Sequence, residues 1–201
     1  MMSMHIAATA IIHDHVILGK DVIIEDYCII GVPIKDNPTA QTVIGDRAHL
    51  RSFTVIYAGN QIGHDFQTGN KANIREYNQI GNHVSIGTLS IIEHHVKIAN
   101  QVRIHSQAFI PEYSILEEGA WIGPNVVLTN AKYPLSPDVK KNLQGPHIAA
   151  QAKIGANTTI LPGVHIGAHS LVGAGSVVTQ DIAAQQIVAG SPARLLRPID
   201  Y

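Results

Sequence analysis

The sequence is poor in several features that commonly define a protein's chemistry. Among 201 residues there is a single cysteine, Cys28, so an intrachain disulfide is excluded. Aromatic residues make up 5% of the chain and charged residues 14%. Basic and acidic side chains nearly cancel, 14 against 15, which leaves no electrostatic footprint for nucleic acid or an anionic membrane surface. No apolar run approaches the roughly 18 residues of a spanning helix. His5, His13, Asp14 and His15 interrupt the first stretch, so it does not read as a signal peptide, and the expectation is a cytoplasmic protein. There is no Walker loop, and the GAGS at 173–176 lacks the strand-to-helix setting of a phosphate cradle.

What the sequence has is 45% hydrophobic content and a period of six. Ile44, Leu50, Ile56 and Ile62 are followed, after Thr68, by Ile74, Ile80, Ile86, Ile92, Ile98, Ile104, Ile110, Leu116, Ile122 and Leu128. The spacing also holds for Ile12, Leu18, Ile24 and Ile30, and again for Ile148, Ile154, Ile160, Ile166, Val172 and Val178. Neither an amphipathic helix nor an alternating strand has this period. Two residues earlier stand small or β-branched residues such as Ala48, Thr54, Ala72 and Val84, a position that Cys28 fills as a small buried residue. Directly after the aliphatic residue comes Gly45, Gly63, Gly81 or Gly155, read as the permissive backbone of a tight corner. A short strand and a corner, three times per circuit, predict a triangular coil of three hexads and an all-β solenoid. The phase slips at 31–42 and 129–147, both proline-bearing and expected as loops. The solenoid is expected over 1–188, with 189–201 leaving the repeat as a short helical tail.

Residues three hexads apart then lie over one another. One column reads Ala58, Glu76, His94, Glu112, Asn130, flanked by Tyr57, Arg75, Glu93, Pro111, Thr129 and by Gly59, Tyr77, His95, Tyr113, Ala131. The longer loop leaves from this corner, so a cleft is expected between that loop and the column. A histidine next to a carboxylate is the pairing expected of a general base. Polar columns on such corners are also ordinary solvated ladders, and 12 histidines pair with glutamates by chance. His64, His83, His165 and His169 are expected as solvent-facing corner residues, and Trp121 as outward-pointing.

The pattern, sharpest in IGANTTILPGVHIGAHSLVGAGSVVTQDI (154–182), resembles the left-handed parallel β-helix of the hexapeptide-repeat acyltransferases. The counted hexads give roughly eight coils, and the resemblance implies the left hand and a homotrimer with active sites between prisms. It implies acetyl-CoA as acyl donor and no metal, with Gly155, Gly173, Ala174 and Gly175 along the pantetheine arm and Arg194 or Arg197 at its phosphates. The stretch RIHSQAFIPEYSILEEGAWIGPNVVLTNAKYP is similar to the substrate-lining coils of bacterial nucleotide-sugar 3-N-acetyltransferases, which act in surface-polysaccharide synthesis. The column makes His94 and Glu112, and that likeness His105, the expected catalytic residues, with Glu76, Tyr77, His95, Asn130 and Lys132 as the acceptor ligands. The expected reaction is attack by the amine of a UDP- or dTDP-linked amino sugar on the thioester. O-acetylation of a sugar hydroxyl is the alternative, ahead of a zinc carbonic-anhydrase-like β-helix or a non-catalytic scaffold.

Overall fold

The computed structural model describes residues 4–199. Almost every strand is two residues long, and its second residue is the aliphatic one of the repeat. That residue points inward and is buried, while the residue before it faces out. Strands pair in parallel with those one coil above and below, Asn73–Ile74 lying between Val55–Ile56 and Ile91–Ile92. They form three sheets of eleven, nine and eight strands, a parallel β-solenoid of about ten turns consistent with the left-handed β-helix. The first face carries Arg103–Ile104, Trp121–Ile122 and Leu171–Val172, the second Ile91–Ile92 and Phe109–Ile110, the third Lys97–Ile98 and His147–Ile148. The corner following each face takes its number below.

The core is a stack of isoleucines and leucines over small inward residues. The one break in the main run, Thr68, is buried with its hydroxyl 2.8 Å from that of Thr54, and the Arg51 amide donates to it at 3.0 Å. Its coil regains volume at Phe66, fully buried where other coils have a small residue. Cys28 is also buried, its thiol pushed up by burial and close to the Arg51 carbonyl.

Three expectations are corrected. There are about ten turns rather than eight, because His5–Ile6 and Gln186–Gly190 add rungs outside the counted phase. The tail is not a helix: Ala193–Pro198 folds back antiparallel on Gln186–Gly190, pairing an edge that a helix would leave open. The glycines directly after the aliphatic residue do not supply the left-handed turn. That conformation falls two residues later, as at Tyr77 (φ 60°), His95 (φ 58°) and Tyr113 (φ 63°). Gly45 serves close stacking instead, since a Cβ there would come 2.6 Å from the Gly63 carbonyl carbon.

Both expected interruptions are loops, the longer containing one 3₁₀ turn at Val139–Lys141. Each is fastened by the same device. The Glu25 carboxylate receives His49 Nε2 at 2.8 Å and the Ser52 amide at 3.1 Å, across the coil that bears loop 31–42. Across the coil bearing loop 129–147, Glu117 receives His147 Nε2 at 2.7 Å and the Ala150 amide at 3.0 Å. Burial raises the Glu25 pKa, but the bonds from His49 and Ser52 outweigh it, so the net shift is downward. The His147 bond lowers the Glu117 pKa. A carboxyl whose folded pKa is depressed stabilises the fold above its unfolded pKa and ceases to do so as pH falls through the folded value. Acidification below the ordinary 4.5 should therefore release both loops. Limited proteolysis should show cleavage in 129–147 rising with acid in the wild type, and already high near neutral pH in Glu117→Ala.

Among the described residues, no helix is long and apolar enough to cross a membrane.

Candidate functional site

The second corner is built on a buried amide ladder. Asn60 and Asn78 occupy the small inward position and are fully buried. Asn60 Nδ2 donates to the carbonyls of Tyr57 (2.7 Å) and Arg75 (2.8 Å), and its Oδ1 accepts from the Asn78 amide (3.0 Å). Asn78 repeats the pattern one coil on, donating to the Arg75 carbonyl (2.7 Å) and accepting from the Val96 amide (2.7 Å). The two side chains thus fix three successive turns of the corner from inside. Sequence reading passed over them, although two asparagines one coil apart, in a position held mostly by Ala, Val, Ser and Thr, are a usable signal.

Outside the ladder the predicted column assembles. Arg75 grips Glu76 through two bonds of 2.9 and 3.1 Å, reaches Glu93 at 3.7 Å, and lies over the Tyr57 ring at 4.8 Å. His94 Nε2 stands 3.7 Å from Glu112 Oε1, an ion-pair separation longer than a hydrogen bond. Its Nδ1 is 2.8 Å from His95 Nδ1, so one ring donates and the other accepts. Glu112 Oε2 accepts from Asn130 Nδ2 at 2.7 Å. The His95 ring lies between Tyr77 and Tyr113, with centroid distances of 5.3 and 5.7 Å. Burial, then the His94 charge, pushes the His95 pKa down, which favours a neutral ring near pH 7. Burial raises Glu76, but the Arg75 bond and charge prevail and hold it low. Burial, with Glu112 and Glu76 nearby, raises Glu93 despite Arg75.

A cleft of about 410 Å³ opens here, lined by Tyr57, Arg75, Glu76, Tyr77, His94 and His95 and closed by Pro33, Ile34, Lys35 and Asp36. The wall is therefore the shorter loop, not the longer one expected. Val32 pairs with Tyr57, so loop 31–42 leaves from this same corner. The longer loop borders its own cleft of about 300 Å³ with Lys132 and Tyr133, which meets the column at Asn130, the donor to Glu112. Lys132 lies over the Tyr133 ring at 5.7 Å, outside the Glu76–His94 cleft.

His105 is not in this cleft. It stands at the first corner with its ring 4.5 Å from that of Trp121 and its Nε2 buried without a hydrogen-bond partner. Burial, then Arg103, lowers its pKa. Trp121 in turn borders an apolar groove of about 400 Å³ on the first face with Lys153, Gly155, Leu171, Gly173 and Ala174. The structure thus gathers three of the four small residues expected along a pantetheine arm and adds Trp121 and Leu171. Gly175 sits just beyond, with open space around it. Arg194 lines a different cleft with Asp181 and Gln186, and its Nη1 donates to the Ala193 carbonyl. Arg197 Nη1 donates to the Pro198 carbonyl.

Residues 145–180 match the family described as Bacterial transferase hexapeptide (six repeats). Over 82 residues the chain is 39% identical to the galactoside O-acetyltransferase of Lactococcus lactis, covering 39% of this chain and 40% of that one. It is 34% identical over 96 residues to the galactoside O-acetyltransferase of Escherichia coli, covering 45% and 47%. The chain thus spans less than half the length of these curated relatives. A solved UDP-N-acetylglucosamine acyltransferase from Francisella novicida superposes with a TM-score of 0.82 over 96% of this chain and 70% of that one, at 17% identity, a likeness of fold. The matched segment is thus similar in sequence to the hexapeptide transferases, and the coil carries the same six-residue repeat through the rest of the solenoid.

Proposed function

We propose that the protein is an acetyl-CoA-dependent acetyltransferase whose acceptor is the amino group of a nucleotide-linked sugar. The observation that carries this reading is the cleft at the second corner. There the carboxylates of Asp36 and Glu76 line the wall with Lys35 and Arg75, Glu93 and Glu112 stand beside it, and His95 is biased towards its neutral form. Carboxylates attract an acceptor ammonium, and a neutral imidazole takes its proton. The freed amine attacks the thioester carbonyl, the C–S bond breaks as the amide forms, and the departing thiolate takes up the second amine proton. Positioning supplies much of the rate for so good a nucleophile.

The apolar groove under Trp121 is the proposed seat of the pantetheine arm. Within one chain the groove and the cleft lie on different sides of the prism. The reading therefore takes the assembly to be a homotrimer in which the second corner of one subunit faces the groove and His105 of the next. Leu171 faces outward from this groove, so Leu171→Glu should leave the fold intact. It should weaken acetyl-CoA binding at least tenfold, about 1.4 kcal/mol, in isothermal titration.

A hydroxyl acceptor is the second reading, favoured by the names of the galactoside O-acetyltransferases to which the chain is similar. Acetyl-CoA consumption measured against UDP- and dTDP-amino sugars and against galactosides decides between the two. Turnover only with the galactosides would overturn the amine assignment, and turnover with neither class would overturn the sugar acceptor.

A further inference from the structure

The third corner carries a side-chain cluster that the proposed reaction does not use. His64 and Asp65 lie on one coil, His83 on the next and Arg47 on the one before. Asp65 Oδ2 is 2.8 Å from His64 Nδ1 and 3.5 Å from His83 Nδ1, and the three atoms lie within 4.8 Å of one another. The two rings meet nearly at right angles, 87°, so both present the same nitrogen to one carboxylate oxygen without stacking. Arg47 holds that carboxylate from the far side, with Nε 2.7 Å from Oδ1 and Nη2 2.7 Å from Oδ2.

We propose that His64 Nδ1, His83 Nδ1 and Asp65 Oδ2 form a binding site for a divalent transition-metal ion of the zinc type, stapling two adjacent coils at the third corner. Imidazole with one carboxylate suits zinc, nickel or copper rather than magnesium or calcium. Tetrahedral zinc with bonds near 2.0–2.1 Å has ligand-to-ligand edges of about 3.3 Å. The observed 2.8 and 3.5 Å bracket that value, so small side-chain rotations open the position. Both imidazoles are substantially exposed, 43% and 54%. A neutral ring can therefore carry its proton on the solvent-facing Nε2 while Nδ1 takes the metal. Arg47 plays the part of the outer partner that orients a ligating carboxylate, and water completes the coordination. The site lies on a different corner from the cleft, so it stands or falls independently of the acyl-transfer reading.

The test is titration of the metal-stripped protein with Zn²⁺ in competition with a chromophoric chelator, together with thermal unfolding. The wild type should bind one equivalent per chain that His64→Ala, His83→Ala and Asp65→Asn each weaken at least tenfold, while His147→Ala retains it. Zn²⁺ should raise the wild-type unfolding temperature and leave that of His83→Ala unchanged. Because His83 is exposed, its alanine variant should fold even if Asp65→Asn does not. The proposal is overturned if the wild type binds no zinc, or if both histidine variants keep the full stoichiometry and affinity.

Discussion

Replacing His94, which positions the His95 ring, by alanine should lower kcat by up to the ~10²–10⁴ that a positioned acid–base group contributes, while acetyl-CoA affinity and assembly stay unchanged. His94 connects the two halves of the column, meeting His95 on one side and Glu112, itself held by Asn130, on the other. Its loss leaves the His95 nitrogen without its partner and removes the ring 3.7 Å from Glu112. The pH profile carries a second signature. Because the His95 pKa is pushed below its ordinary 6.5, the acid limb of kcat should fall below that value in the wild type. It should shift upward in the alanine variant, where the His94 charge no longer opposes protonation. His105→Ala, at the proposed donor groove, should also reduce turnover. Unchanged rates in both variants would remove the site assignment altogether.

The second large effect is on stability. Asn78→Ala should cost about 2–4 kcal/mol in reversible denaturation, because the buried Val96 amide loses its acceptor and the Arg75 carbonyl one of its donors. Asn78→Asp preserves the acceptor but replaces the donor with a buried carboxyl facing that carbonyl, and should not restore stability. A surface change of similar size, such as Gln79→Ala on the exposed side of the adjoining strand, should stay within about 0.5 kcal/mol. Equal losses in Asn78→Ala and Gln79→Ala would show that the ladder does not hold the corner.

The faces, corners and columns were legible because one side chain per hexad must be buried and the coil closes after three hexads. That alone aligns Glu76, His94, Glu112 and Asn130 in one column. The same arithmetic carried more than was drawn from it. Ile30 and Ile56 are separated by one full coil and a little over a hexad, which already puts loop 31–42 on the second corner. His105 follows His94 by less than two hexads, well short of a full coil, which already separates them. The tail was open to two readings, since an apolar run on either side of Gly190, Ser191 and Pro192 describes a hairpin as well as a capped end. Hydrogen-bond direction was not legible. Nothing in composition tells that Asn60 and Asn78 turn their amides inward to backbone carbonyls, or that Glu25 and Glu117 each fasten a loop through a histidine and an amide.

The parallel rungs have a consequence for how such a protein can change its reach. The cleft occupies the coils around residues 57–95 and the groove those around 121–174, so their axial offset can change only in steps of whole rungs of about 4.8 Å. Lengthening or shortening it by anything less would slip the inward residues out of phase. Gain or loss of one whole coil preserves every side chain's orientation, so the distance between the cleft and the groove is a digital variable, adjustable by duplication and deletion more readily than by point substitution.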